Sequence, residues 1–173
     1  PRQRLVLTRD RPGILPLFYA RERDRLLFAS EVKALLPARD ATPRLNSAAL
    51  DQLLTFWAPV SPNTLFDGVL EVPPGTQLVA ENGEIALRRY WEWEFAAPGS
   101  YLQGSPDALA AEAHDLLLDA TRIRLRADVP VGAYLSGGLD SSALAALIGR
   151  DGRSRLRTFS IGFDDAGLDE TRW

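Results

Sequence analysis

Val131-Gly132-Ala133-Tyr134-Leu135-Ser136-Gly137-Gly138-Leu139-Asp140-Ser141-Ser142 opens as a short apolar strand, Val131 to Leu135, and runs into a serine- and glycine-rich loop. A helix from Ser141 to Ile148 is expected next, then a polar turn and a second apolar strand from Leu156 to Ile161. That order makes one βαβ unit, the repeating piece of a parallel sheet with helices on its faces. A sheet of two strands leaves edges and apolar surface open, so a domain that starts here is expected to continue beyond Trp173.

Open α/β sheets bind ligands between the carboxyl end of a strand and the amino end of the next helix, which is where Ser136 to Ser142 falls. Gly137 and Gly138 let backbone N–H groups approach an anion, and the hydroxyls of Ser136, Ser141 and Ser142 add donors. The positive end of the helix favours phosphate. Asp140 would repel a phosphate unless a cation lay between them, so it reads as a ligand of Mg²⁺, hard oxygen for a hard ion. No lysine follows the glycines as in the G-x-x-x-x-G-K-[ST] loop, which disfavours simple γ-phosphate hydrolysis. The competing reading makes Gly137-Gly138 a plain turn and Asp140 or Ser141 a helix cap; position alone does not separate the two, and the whole seven-residue string favours phosphate.

Working upstream, Ser105-Pro106-Asp107 starts a helix whose stripe Leu109, Ala113, Leu116, Leu117, Ala120 and Ile123 is expected to be buried. Ala96 to Gly104, rich in Pro, Gly and Ser, reads as a linker. Before it, Tyr90 to Phe95 alternates as a half-buried strand, with Trp91 and Trp93 in core packing rather than base stacking. Thr76 to Ala80 and Glu84 to Tyr90 flank Asn82-Gly83, the pair that a type I′ hairpin demands. Asn46-Ser47 starts a helix with Leu50, Leu53, Leu54 and Trp57 as an inward stripe, stopped by Pro59. A shorter helix is capped by Ser30, carries Glu31 in its first turn and ends at Pro37. Arg4 to Thr8, Leu17 to Ala20 and Leu26 to Ala29 form a meander of strands.

The 173 residues are 46% hydrophobic and carry a net charge of -3 with the two signs interleaved, which fits a globular chain and gives no footprint for nucleic acid or an anionic membrane. No leader or membrane span is evident, and cysteine is absent, which rules out a cysteine nucleophile or thiolate metal site here and fits a cytoplasmic location. His114 has no partner histidine and reads as a surface or packing residue; the arginines at 122, 124, 126, 150, 153, 155 and 157 read as a solvated face.

Val129 to Ser142 resembles the ATP-pyrophosphatase loop of glutamine-hydrolysing asparagine synthetases. Upstream, Arg9 to Tyr19, Phe28 to Leu35, Val72-Pro73-Pro74-Gly75 and Arg89-Tyr90-Trp91 resemble the later part of that family's glutaminase domain; Thr158 to Phe163 and Asp169-Glu170-Thr171 resemble its second nucleotide-side strand and the turn beyond. The resemblance implies an α/β chain overall. Residues 1–95 would be the β-rich end of an N-terminal-nucleophile-type glutaminase domain, 96–104 a linker, and 105–173 the start of a parallel-sheet, adenine nucleotide α-hydrolase-like synthetase domain, the whole a middle portion of a longer enzyme. It also implies ATP and Mg²⁺: Leu135 and Ile161 against the adenosine, Ser136, Gly137, Gly138, Ser141 and Ser142 on the phosphates, and Asp140 on the metal. The substrates implied are ATP, aspartate or another carboxylate, and glutamine-derived ammonia, with a homodimer as the intact form.

Departures from the family pattern are Pro12 where Phe is usual and Leu15 where Lys is usual; the glutaminase cysteine and glutamine-holding residues would precede Pro1. Two further readings stay open: a relative such as a β-lactam-forming synthetase with a dead glutaminase domain, and a non-catalytic remnant or interaction module.

Overall fold

The computed structural model describes residues 3–151, 156–165 and 167. The chain divides into two compact units, Pro1–Ala96 and Ala97–Trp173.

The first unit runs β1 (Arg4–Thr8), β2 (Phe18–Glu22), β3 (Arg25–Ala29), α1 (Val32–Leu35), a 3₁₀ turn over Leu36–Ala38, α2 (Ser47–Phe56), β4 (Leu70–Glu71), β5 (Thr76–Glu81) and β6 (Glu84–Arg89). Its strands form two antiparallel sheets, ordered β1-β5-β6 and β3-β2-β4. Adjacent residues of a strand face opposite ways, and β2 uses both faces. Tyr19 packs with Val72 and Leu78, bordered by Leu7, Leu26 and Ile85, so one side of its sheet meets the other sheet. Ala20 packs with Leu35 and Val69, so the opposite side is covered by α1.

Arg9 is buried and the side chain of Arg39 largely covered, each with partners, which is the condition for keeping a charge out of water. Arg9 joins the sheets: its guanidinium lies 2.8 Å from Glu71 and donates to the carbonyls of Val72 (2.8 Å), Gly13 (2.9 Å) and Leu15 (3.1 Å). Arg39 lies 2.6 Å from Glu22 and donates to the Asp67 carbonyl at 2.7 Å.

The Asn82-Gly83 hairpin forms as its residue types require, with φ of +54° and +80°. Other local expectations are corrected. α1 is capped at Glu31, not Ser30, with no side-chain cap bond, because the Glu31 carboxylate pairs with Lys33; Pro37 sits inside the 3₁₀ turn that continues the helix. α2 starts where expected, the Asn46 side chain accepting from Ala49 N–H at 3.1 Å, but its apolar stripe is not the buried face. Leu54 and Trp57 are 77% and 91% exposed while Ala49 is fully buried. The bonds from Asn46 N–H to Leu65 and from Val60 N–H to Gln52 hold the Ala49–Gln52–Leu53 side inward, about one residue or roughly 100° round from the centre of the predicted stripe, of which Leu53 alone is half-buried. The helix ends at Trp57 in a left-handed conformation, two residues before Pro59.

Tyr90 to Phe95 forms no strand. Tyr90 and Trp91 both donate their N–H to the Gly75 carbonyl, which ends the sheet, and Trp93 and Phe95 stay 60% and 86% exposed. The rings stack on one another instead of entering the core: Trp91 meets Trp93 edge to face at 4.7 Å, and Trp93 stacks with Phe95 at 6.4 Å.

The second unit holds α3 (Pro106–Arg124), β7 (Gly132–Tyr134), α4 (Leu139–Asp151) and β8 (Arg157–Phe159). Ser105 caps α3, its hydroxyl accepting from Ala108 N–H at 3.2 Å, and Pro106 occupies the first turn as its missing N–H allows. The predicted stripe on α3 is again not buried: Leu116, Leu117 and Ile123 are half or more exposed, and Thr121 is the buried residue, donating to the Leu117 carbonyl at 2.7 Å. Leu117 and Thr121 border a largely apolar hollow of about 300 Å³ shared with β7 and with Leu144 and Ile148 of α4, so this face is not closed over by the described residues. β7 and β8 pair in parallel, Gly132 with Arg157 and Tyr134 with Phe159, giving the predicted βαβ unit with strands shorter than expected. Among the described residues no helix is long and apolar enough to cross a membrane.

Candidate functional site

β7 delivers the chain to the loop at Leu135. Its N–H donates to the Phe159 carbonyl at 2.8 Å and its carbonyl accepts the Ser160 hydroxyl at 2.7 Å, so both backbone polar groups of this residue are tied to the end of β8 and the residue after it. The chain then turns through Gly137 at φ +87°, a conformation open to glycine and strained for other residues.

The loop closes through two hydroxyls. Ser136 N–H donates to Ser141 Oγ at 3.3 Å, the Ser136 and Ser141 hydroxyls lie 3.1 Å apart, Gly138 N–H donates to Ser136 Oγ at 3.3 Å, and Ser141 Oγ donates to the Gly138 carbonyl at 3.1 Å. α4 starts at Leu139, two residues earlier than the sequence suggested, and Ser142 N–H already bonds the Gly138 carbonyl at 3.1 Å. The reason lies in that pattern: with the Gly138 carbonyl taking the first helical bond, Leu139, Asp140 and Ser141 are drawn into the first turn.

Leu135, Ser136, Gly137, Gly138, Ser141 and Ser142 thus surround one turn, with Asp140 exposed on the first turn of α4. Ile161 directly follows Ser160 and is 72% exposed. Ser160 falls in the second predicted strand, where the sequence gives it no role of its own; the signal that finds one is the parallel register, which carries the residue after Phe159 alongside Leu135.

The donor set can be tested against a metal. Among the described residues no group of three or more His, Cys, Asp or Glu side chains is arranged to hold an ion, and Asp140 is the acidic residue of the loop. One carboxylate fits Mg²⁺, which keeps several waters and takes most of its other oxygens from substrate phosphates, and does not fit an ion needing an all-protein cage. A hollow of about 770 Å³ in the first unit is lined by residues that include Arg21, Arg23, Arg25 and the Asn82-Gly83 turn, and by none of this loop.

The chain thus joins an antiparallel two-sheet unit to a parallel β–loop–α unit with serines and glycines at the turn. Comparison with known proteins identifies its family. Residues 1–91 match the glutamine amidotransferase domain family and residues 112–173 match the asparagine synthase family. The chain is 36% identical over 163 residues to asparagine synthetase [glutamine-hydrolyzing] 1 of Bacillus subtilis, a match covering 94% of this chain and 25% of that protein. It is 33% identical over 170 residues to a putative asparagine synthetase [glutamine-hydrolyzing] 2 of Methanocaldococcus jannaschii, covering 96% and 32%, and 36% identical over 186 residues to amidase chyE of Penicillium rubens, covering 98% and 27%. The chain belongs to the glutamine amidotransferase domain family through residues 1–91, and over nearly all of its length it is similar to glutamine-hydrolysing asparagine synthetases. It spans about a quarter of the length of the first of these relatives and about a third of the second.

Proposed function

We propose that this protein serves ATP-dependent amide synthesis, with residues 105–173 contributing the nucleotide loop of a synthetase domain, 1–95 the later part of a glutaminase-like domain and 96–104 the linker. The observation that carries the reading is the loop itself: a positive-φ glycine between β7 and α4, and the Ser136 hydroxyl paired with that of Ser141 in the first turn of α4, in a chain that matches the asparagine synthase family here.

ATP would enter with its phosphates over Gly137, Gly138 and the first turn of α4, where backbone N–H groups and the helix dipole favour negative charge. The hydroxyls of Ser136 and Ser141, which satisfy each other here, would turn to phosphate oxygens, and Ser142 would add a third. Leu135 and Ile161 would lie against the adenosine. Asp140 would hold Mg²⁺, which when bound offsets phosphate charge. A carboxylate oxygen of the acceptor, aspartate in the main reading, attacks the α-phosphorus; the bond from that phosphorus to the bridging oxygen of pyrophosphate breaks, leaving an acyl-adenylate. Ammonia from glutamine then attacks the acyl carbon, the bond to AMP breaks, and the nitrogen sheds a proton. The loop's contribution is fixed donors aimed at charge that grows on the α-phosphoryl group and the departing pyrophosphate.

In a second reading the loop serves another adenylated carboxylate, since relatives of equal identity carry two different names, a synthetase and an amidase. Calorimetric titration of Mg·ATP into the purified 173-residue chain tests the shared step. Saturable binding lost in Asp140→Ala supports the loop assignment, and a folded chain that takes up no nucleotide contradicts it. Pyrophosphate exchange into ATP, run with a panel of carboxylates on the protein at its relatives' length, separates aspartate from other acceptors.

A further inference from the structure

We infer that Ser160 is a positioning residue for the loop, an inference that rests on the nucleotide reading above and extends it to a residue outside the loop. The Ser160 hydroxyl donates to the Leu135 carbonyl at 2.7 Å. That carbonyl and the Ser136 N–H belong to one planar peptide unit, so holding the C=O fixes the direction of the N–H. The Ser136 N–H is the group that reaches Ser141 Oγ at 3.3 Å, and Ser141 Oγ in turn contacts both Ser136 Oγ and the Gly138 carbonyl. Release of the Leu135 carbonyl therefore frees the peptide plane on which the hydroxyl network is hung. The Leu135 N–H is already held by the Phe159 carbonyl at 2.8 Å, so the Ser160 bond converts a single tie into a two-sided one at the last residue before the turn. Among the described residues no backbone N–H is bonded to this carbonyl, so the hydroxyl supplies the tie; Thr at 160 can supply it while Val, of nearly the same shape as Thr, cannot.

The experiment compares Ser160→Thr and Ser160→Val with the unaltered 173-residue chain. Amide hydrogen exchange is read peptide by peptide, and Mg·ATP affinity by calorimetry. In Ser160→Val, exchange over Ser136 to Ser142 should quicken about fivefold, the order expected for loss of one exposed hydrogen bond. Exchange in the first unit should stay unchanged, and the dissociation constant for Mg·ATP should rise by a similar factor. Ser160→Thr should remain within about twofold of the parent in both readouts. Equal behaviour of Thr and Val in the loop overturns the inference, as does a loop that loosens in Val while nucleotide affinity stays constant across all three chains. Loop loosening confined to Val in a parent chain that binds no nucleotide would leave the tie in place and count against the proposed function alone.

Discussion

Gly75 and Gly83 both have positive φ, +60° and +80°, yet replacing each with alanine should have very different costs. At Gly83 a Cβ meets nothing within 4 Å, so the cost is conformational, about 1 kcal/mol for a left-handed alanine, partly offset because alanine also restricts the unfolded chain. At Gly75 the same Cβ would fall inside contact distance of the Trp91 carbonyl oxygen and 3.2 Å from its carbon, both backbone atoms that cannot rotate away. Relief means moving the segment whose Tyr90 and Trp91 N–H groups bond Gly75 O at 2.8 and 3.2 Å. Loss of those two bonds adds about 0.5–1.5 kcal/mol each, bringing Gly75→Ala to about 3 kcal/mol. For a unit of this size that is a fall in Tm of about 12–24 °C, against about 4–8 °C for Gly83→Ala. Thermal melts followed by near-ultraviolet circular dichroism, to which Trp91 and its neighbours contribute, measure both. Equal shifts for the two variants would refute the argument from space and leave only the φ term.

Removing Glu22 as Glu22→Leu strands the Arg39 guanidinium in a site where its side chain is 9% exposed, and should cost about 3–5 kcal/mol in urea unfolding. The double variant Glu22→Leu with Arg39→Met should recover most of that, and a double variant as unstable as the single speaks against a buried-charge penalty. Asp10 accepts N–H bonds from Leu15 and Ile14, in that order of effect, and these hold its carboxyl below the ordinary 3.8. Because the folded value is the lower one, this contribution to stability is full above about 3.8 and fades as pH falls through the folded value. Carboxyl chemical shifts should give a midpoint under 3.8, and a midpoint at or above it contradicts the assignment. At the loop, Gly137→Ala forces φ +87° on a residue with a Cβ at about 1–2 kcal/mol, so Mg·ATP affinity should drop about tenfold with the far-ultraviolet spectrum unchanged; undiminished affinity sinks the prediction.

What the sequence revealed divides along physical lines. Asn82-Gly83, Ser105-Pro106 and Asn46-Ser47 were legible because turn and cap chemistry is settled within four residues. The βαβ order and the loop between its first strand and helix were legible for the same reason. The inward faces of α2 and α3 were not. Periodicity shows that a stripe exists, but the bonds that rotate α2 reach Leu65 and Val60, and the hollow beside α3 depends on β7 and α4. Alternation from Tyr90 to Phe95 imitated a strand because stacked rings and a half-buried strand leave the same pattern in one dimension. Arg9 with Glu71 and Ser160 with Leu135 are pairs of ordinary residues far apart in sequence, with no local signature at all.

The register of the first sheet also sets an order of events on the ribosome. Arg4 of β1 pairs with Glu81 of β5, so β1 leaves the exit tunnel long before this partner has been translated, and Leu5, Val6 and Leu7 wait for β5. β7 and β8 close across a single helix, Gly132 with Arg157, and can pair as soon as α4 is out. Of the two closures the first therefore spans the longer stretch of chain and is the slower, and β1 is the strand on which a nascent-chain chaperone would have the longer time to act.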